Sequence, residues 1–232
     1  MARTVTAHTR GGHVYEAIRT GILTGEFQPG QKLKPNDLRI QYGVSLSVVR
    51  EALSRLAEQR LVQSQPNQGF QVVPLSEKAL RDLTDLRVMV ECFALRRAVE
   101  RGDVTWEAEI VAAHHTLTVT PPYEDDDSSQ ISESWEQAHR RFHYALIAGC
   151  DMPIVLELCS SLFDASQLYR RLAAPLTEGA RDVATEHAQI MEAALARDVE
   201  VCLARLELHF RATTKLLLTQ LLQVDTHTYP RR

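Results

Sequence analysis

The sequence predicts a mainly α protein in two parts: an N-terminal winged helix-turn-helix and a C-terminal antiparallel all-α bundle of about six helices. Three observations point there. Charge divides the chain: through Leu75 there are nine basic and five acidic residues, and the remainder carries 17 basic and 25 acidic, so a part of net +4 precedes one of net −8. The whole-chain charge of −4 hides this division, and a basic piece joined to an acidic piece implies two different partners. Apolar spacing near the helical repeat then gives way, between Leu61 and Val73, to two short runs that read as strands. Beyond Ser76 the pattern is helical throughout, with no convincing strand. At 232 residues and 44% hydrophobic content the chain is too apolar for a disordered protein and long enough for two small domains. The expected division is a flexible arm over 1–12, a DNA-binding domain over 13–75 and a helical domain over 76–232.

Val14, Ala17, Ile18, Gly21 and Ile22 follow helical spacing, and the stretch from Gly25 to Gly30, with Pro29 inside it, ends that helix in a turn. Asn36 and Asp37 are expected to cap a short helix carrying Leu38 and Ile40, which stops at Gly43. Ser45 or Ser47 caps the next helix, whose apolar stripe is Val49, Ala52, Leu53, Leu56 and Ala57. Two short helices around a glycine turn make a helix-turn-helix. Leu61 to Ser64 and Phe70 to Val73 read as two strands about the turn Pro66-Asn-Gln-Gly69, which forms the wing. Pro74-Leu75-Ser76 is the linker. Helices are then expected near 77–101, 105–119, 131–149, 152–172, 178–196 and 198–223. The break from Pro121 to Ser129, with its prolines and acidic run, reads as a solvated loop. No repeat of fixed period is present, which argues against a solenoid.

Four cysteines without a Cys-x-x-Cys pair give no disulfide scaffold and fit a reducing compartment. No stretch approaches the ~18 apolar residues of a membrane span, and the first residues lack a signal-peptide core. The expectation is a cytoplasmic protein with no membrane association.

In the basic part, Arg50 on the first turn of the second helix can reach a base edge or a phosphate, while Ser45 and Ser47 can bond phosphate oxygens. Gln68 and Gly69 at the wing tip, and Lys34 and Asn36 at the start of the preceding helix, complete the expected DNA-contacting set. The alternative is that Arg50 pairs with a local carboxylate and the wing only packs.

In the acidic part, His139 and His143 are four residues apart on one helix face, a spacing that lets two imidazoles share a metal ion. His187 and His209 lie on consecutive helices, at similar distances from the turn near Arg197, so an antiparallel hairpin brings them level. Four imidazoles from three helices therefore converge, although any one of them alone reads as a satisfied polar side chain. Imidazole ligands suit Zn, Ni, Cu or Fe. His114 and His115, adjacent and so divergent, read as surface residues. The inward stripe of the first long helix runs Leu80, Leu83, Leu86 or Arg87, Val90 and Ala94, which places the Arg87 guanidinium at the edge of the inward face. It either pairs with Glu91 one turn on or clamps a ligand carboxylate.

The run Ile22-Leu-Thr-Gly25-Glu-Phe-Gln-Pro29-Gly30-Gln-Lys-Leu33, then Gly43-Val-Ser45-Leu-Ser-Val-Val-Arg50-Glu51-Ala52-Leu53, with Leu56 and Gly69, resembles the GntR family of bacterial transcription regulators over 13–75. Leu46 stands where that family usually has Arg, and Lys34 to Asp37 replace its usual Ser-Glu-containing helix start, so the family's operator sequence does not carry over. Leu86-Arg87-Val-Met-Val-Glu91, His139-Arg-Arg-Phe142-His143, Glu186-His187 and His209 resemble the FCD ligand-binding domain of the FadR-type branch. The resemblance implies an antiparallel helical bundle with a metal held by an Asp and three His and completed by a small carboxylate effector. It matches at His143, His187 and His209, with His139 in the position of the Asp. Four neutral ligands would leave a dication near +2, favouring zinc first and nickel second over manganese or magnesium.

The function expected on these grounds is a DNA-binding transcription regulator and not an enzyme. It would be a homodimeric repressor on a palindromic double-stranded operator, controlled by a small carboxylate held by Arg87 and the metal. One alternative is the same dimer with a purely structural metal and no effector. The other is a metal-dependent hydrolase using Glu136 as base; against it, the spacing is not His-Glu-x-x-His, and four protein ligands close a tetrahedral zinc site.

Overall fold

The computed structural model describes residues 10–65, 69–124, 127–173 and 181–228. They belong to two compact units, Met1–Leu75 and Ser76–Arg232.

The first unit opens with α1 (Arg10–Leu23), which buries Val14, Tyr15, Ile18 and Ile22. Of the arm expected over 1–12, residues 10–12 are already helical and 1–9 lie outside the described residues. β1 (Lys32–Leu33) follows, then α2 (Pro35–Gln41), α3 (Leu46–Glu58), β2 (Val62–Gln65) and β3 (Gly69–Val72). The strands form an antiparallel sheet of order β1-β3-β2, with Leu33 opposite Phe70 and Val62 opposite Val72. β1, which follows the expected turn and was not itself expected, is two residues long and too short to show a period. α2 begins at Pro35, with Lys34 in the capping position and no side-chain cap bond. The expected caps Asn36 and Asp37 lie inside the helix, because the fixed φ and missing N–H of Pro35 suit the first helical position. Leu38 is buried but Ile40 is exposed. Gly43 has φ 63, the left-handed conformation that turns the chain from α2 into α3. Ser45 caps α3, accepting from Val48 N, and Val49, Ala52, Leu53 and Leu56 fill the core beneath it.

The second unit consists of α4 (Glu77–Arg101), α5 (Val104–Val119), β4 (Tyr123–Glu124), β5 (Asp127–Ile131), α6 (Glu133–Ala148), α7 (Pro153–Ala173), α8 (Val183–Leu195) and α9 (Val199–Thr228). Ser76, Asp103, Ser132 and Asp182 cap α4, α5, α6 and α8 through side-chain oxygens. α4 packs on α9 and α7, α5 on α6 and α8, and α8 on α9, around a core containing Leu95, Ile110, Phe142, Leu146, Ile190 and Leu206. The stretch expected to be an unstructured loop forms an antiparallel hairpin of β4 and β5, with Tyr123 opposite Ile131. Ser132 closes its base, its N–H donating to Pro122 O at 2.9 Å and its Oγ to Pro121 O at 2.9 Å. α8 begins at Val183 rather than near 178, and 174–180 lie outside the described residues. Among the described residues no helix is long and apolar enough to cross a membrane.

One face differs from expectation in a way that matters for the site. α4 turns Leu80, Thr84, Arg87, Glu91, Ala94, Leu95 and Ala98 inward, and Leu83, Leu86 and Val90 are only partly buried. A charged and polar stripe therefore occupies the bundle interior where leucines were expected.

Candidate metal centre and DNA-reading face

Helical spacing on α6 stacks His139 and His143 on one face, and their Nε2 atoms lie 3.1 Å apart. The tight turn between α8 and α9, with Arg197 at φ 58, sets His187 and His209 side by side, ring centroids 4.7 Å apart. Arg197 fixes that turn by donating to Val99 O and Gly102 O, each at 2.7 Å. The four predicted ligands do come together: one ring nitrogen from each lies within 4.8 Å of all the others, and the residues are only 2–4% exposed.

Burial, reinforced by the neighbouring imidazoles, holds His139, His143 and His187 well below the ordinary histidine range. His209 is brought down to about 4, because burial outweighs its bond to Glu186. All four are neutral at pH 7, the form that offers lone pairs to a metal. His139 Nδ1, His143 Nδ1 and His187 Nε2 are buried with no hydrogen-bond partner. Such orphaned groups are costly, and two ring nitrogens 3.1 Å apart match the ~3 Å edge of a coordination shell with bonds of about 2.0–2.1 Å. This donor set fits a dication.

The sequence named Glu186 only within the Glu186-His187 step and gave no supporting role to any neighbour of these ligands. His209 Nδ1 lies 2.9 Å from Glu186 Oε2, the carboxylate contact that fixes a ligating histidine's tautomer and turns its other nitrogen inward. Arg181 holds Glu186 in place and also donates to His209 O at 2.8 Å. Burial would raise the Glu186 carboxyl, but hydrogen bonds from His209 and Arg181 prevail and bring it down to about 2. Trp135 stacks on His139, centroids 4.7 Å apart and planes 10° from parallel. His114, expected at the surface, is half-buried against Phe142 and lines the cavity above the four histidines. Glu186, Arg181 and Trp135 lie on no shared period, so spacing could not find them.

That cavity measures about 400 Å³. Arg87 lines it too, only 7% exposed and well inside the bundle rather than at the edge of a stripe. Its Nε lies 2.6 Å from Glu91 Oε1, its NH1 3.1 Å from Ser166 Oγ, and its guanidinium 4.0 Å from the Phe210 ring centroid. The helical ion pair is therefore present, and Arg87 faces the cavity as well. Arg170 mirrors it, pairing with Glu136 at 3.0 Å and sharing Ser166 at 2.7 Å. Glu136, the only base a hydrolase reading offered, is held in that pair.

On the first unit, Lys34, Asn36, Ser45, Ser47, Arg50 and Gly69 are all exposed. Arg50 makes no ion pair or hydrogen bond among the described residues, so the local carboxylate partner is not found. Ser45 Oγ caps α3 and lies 2.8 Å from Ser47 Oγ, and Asn36 Oδ1 accepts from Arg39 at 3.3 Å. Gly69 has φ 84 at the start of β3; Gln68 lies outside the described residues.

A winged helix-turn-helix with an uncommitted arginine on its second helix, carried with a helical bundle that encloses a ligand-sized chamber, is an architecture suited to a DNA-binding transcription regulator. Residues 10–72 match the family described as bacterial regulatory proteins, gntR family, and residues 82–212 match the FCD domain. The chain is 38% identical over 203 residues to the HTH-type transcriptional regulator BphR of Paraburkholderia xenovorans, covering 88% of this chain and 83% of that one. It is 33% identical over 188 residues to the HTH-type transcriptional repressor GlaR of Escherichia coli, covering 79% and 84%. A crystal structure of a GntR regulator from Rhodococcus sp. RHA1 superposes with TM-score 0.71 at 25% identity, over 90% of this chain and 98% of that one. The chain belongs to the GntR family of DNA-binding transcription regulators, in the FadR-type branch that carries an FCD domain.

Proposed function

We propose that the chain is a homodimeric repressor whose hold on a palindromic operator is set by a small carboxylate bound at a zinc-class dication in the four-histidine centre. The observation that carries this reading is the convergence of four buried neutral imidazoles, three with orphaned nitrogens, on the wall of a cavity. His139, His143, His187 and His209 would hold the ion, and Glu186 would orient His209. A bound ion would add positive charge beside Arg87, within a domain that is acidic overall, to receive an anion. Arg87, fixed by Glu91 and Ser166, points its guanidinium into the same cavity as the second anchor. Zinc comes first and nickel second because the ligand set is entirely imidazole.

On the DNA side, Arg50 reads a base edge while Ser45, Ser47, Lys34, Asn36, Gln68 and Gly69 position the backbone and wing. Support for pairing with a second copy comes from α4 and α9. Met89 and Phe93 on α4 are 70% and 48% exposed, and Val201 and Leu208 are exposed on α9. The Arg96–Glu200 and Arg211–Asp85 bridges tie the two helices together, so both pairs of exposed apolar residues lie on adjacent helices. A dimer places two recognition helices on two half-sites.

The test is an operator gel shift, using DNA that the protein itself selects from a random pool, titrated with carboxylates in the presence of zinc and after chelation. A carboxylate that changes operator affinity at least fivefold with metal and not without it is expected. Operator affinity indifferent to every carboxylate would remove the switch.

A further inference from the structure

The cavity over the histidines is larger than a metal ion and a small acid require. At about 400 Å³ it lies in the range of chambers that enclose drug-sized organic molecules. Its positive charges are already assigned: Arg170 pairs with Glu136 and Arg181 with Glu186, while Arg87, besides its pair with Glu91, serves the first carboxylate in the proposed reading. The other charged side chain on its wall, Asp182, is negative. A second carboxylate on a ligand would therefore meet no uncommitted arginine among the described residues. The threonine hydroxyls on the wall are also engaged, since Thr118, Thr120 and Thr213 each donate to a helix carbonyl. What remains is mainly apolar, Leu117, Pro122, Ile131, Trp135, Leu217 and the ring of Tyr123, with the Tyr123 hydroxyl and His114 as polar exceptions. Tyr123 and Ile131 face each other across the base of the β4–β5 hairpin, so the hairpin builds one side of the chamber. Trp135, stacked on His139, carries the aromatic lining up to the metal centre.

From this distribution of charge and surface we propose that the effector is a monocarboxylate with an apolar body about the size of a ring, its carboxylate toward the histidines and its body against the hairpin and Trp135. The proposal rests on the anion-binding reading of the centre and goes further by excluding di- and tricarboxylates and short hydroxy acids as the preferred class. Burying a phenyl group in such a chamber raises affinity by more than tenfold.

The experiment is calorimetric titration of the full, zinc-loaded chain with 3-phenylpropionate, propionate and succinate, repeated with Ile131→Asp. The wild-type chain is expected to bind 3-phenylpropionate at least tenfold more tightly than either other acid. Ile131→Asp should keep its zinc while losing that preference. Equal affinities in the wild type, tighter binding of succinate, or an undiminished preference in Ile131→Asp would overturn the ring-bodied class and leave the anion site standing. Failure of all three acids to bind the zinc-loaded chain would overturn the anion site and this proposal together.

Discussion

Glu186 shows how a single side chain decides what the neighbouring ones can do. It bonds His209 Nδ1 at 2.9 Å and is itself held by Arg181, so one face of the imidazole is committed and the other is turned toward His139, His143 and His187. Loss of such a carboxylate contact weakens metal binding by about 10- to 100-fold. Glu186→Gln should show that loss in a chelator competition while the helical content by circular dichroism stays unchanged; wild-type metal affinity would mean that His209 needs no such support. The ligands themselves were legible in the sequence, because i, i+4 spacing and an antiparallel hairpin are both regular. Their supports were not, since Glu186, Arg181 and Trp135 reach the site from a helix turn, a cap-proximal residue and a neighbouring turn of α6. Arg87 was legible as a charge needing a partner, but its depth in the bundle was not: the sequence offered Leu83 and Leu86 as better inward residues, and Glu91 and Ser166 make the guanidinium acceptable there instead.

Helices were read well wherever cap and stripe agreed. α3 has both, with Ser45 at its start and Val49, Ala52, Leu53 and Leu56 beneath it, and α4 begins after Ser76 as its capping hydroxyl implies. Of the short strands, β2 and β3 were legible but β1, β4 and β5 were not. β1 has two residues and β5 reads Asp-Ser-Ser-Gln-Ile, which lacks alternating apolar residues; pairing and the Ser132 bonds at the hairpin base hold what local propensity does not favour. The junction of α4 and α5 depends on a close approach. A Cβ on Gly102 would sit 2.3 Å from the Trp106 ring and 2.7 Å from Ala98 O, while Trp106 Nε1 donates to Ala145 O at 2.9 Å and cannot easily retreat. Gly102→Ala should therefore destabilise the helical unit by about 2 kcal/mol, the scale of an overpacked core. The two tryptophans, Trp106 and Trp135, both lie in that unit, so the denaturation midpoint followed by their fluorescence reads it directly. An unshifted midpoint would mean that Trp106 moves aside at no cost.

For the whole molecule, the division into a basic first unit and an acidic second unit follows the division between the GntR helix-turn-helix and the FCD domain, and in the proposed reading the first reads DNA while the second holds a ligand. Net charge alone made an anion site in the acidic unit unexpected, and a dication held by four neutral imidazoles would remove that difficulty locally. If regulation works through a dimer, the exposed α4–α9 face must stay apolar. Met89→Lys combined with Phe93→Glu should convert the dimer to a monomer in sedimentation velocity and lower operator affinity by about 100-fold or more, since half-sites bound singly lose the advantage of linkage. A variant that remains dimeric would place the interface elsewhere. The central claim, that the four histidines form a metal centre, is tested most directly by elemental analysis of wild type and His143→Ala, both purified without a nickel column. The account predicts close to one zinc-class ion per wild-type chain and its loss in the variant. Equal metal content in both, or none in either, would contradict it.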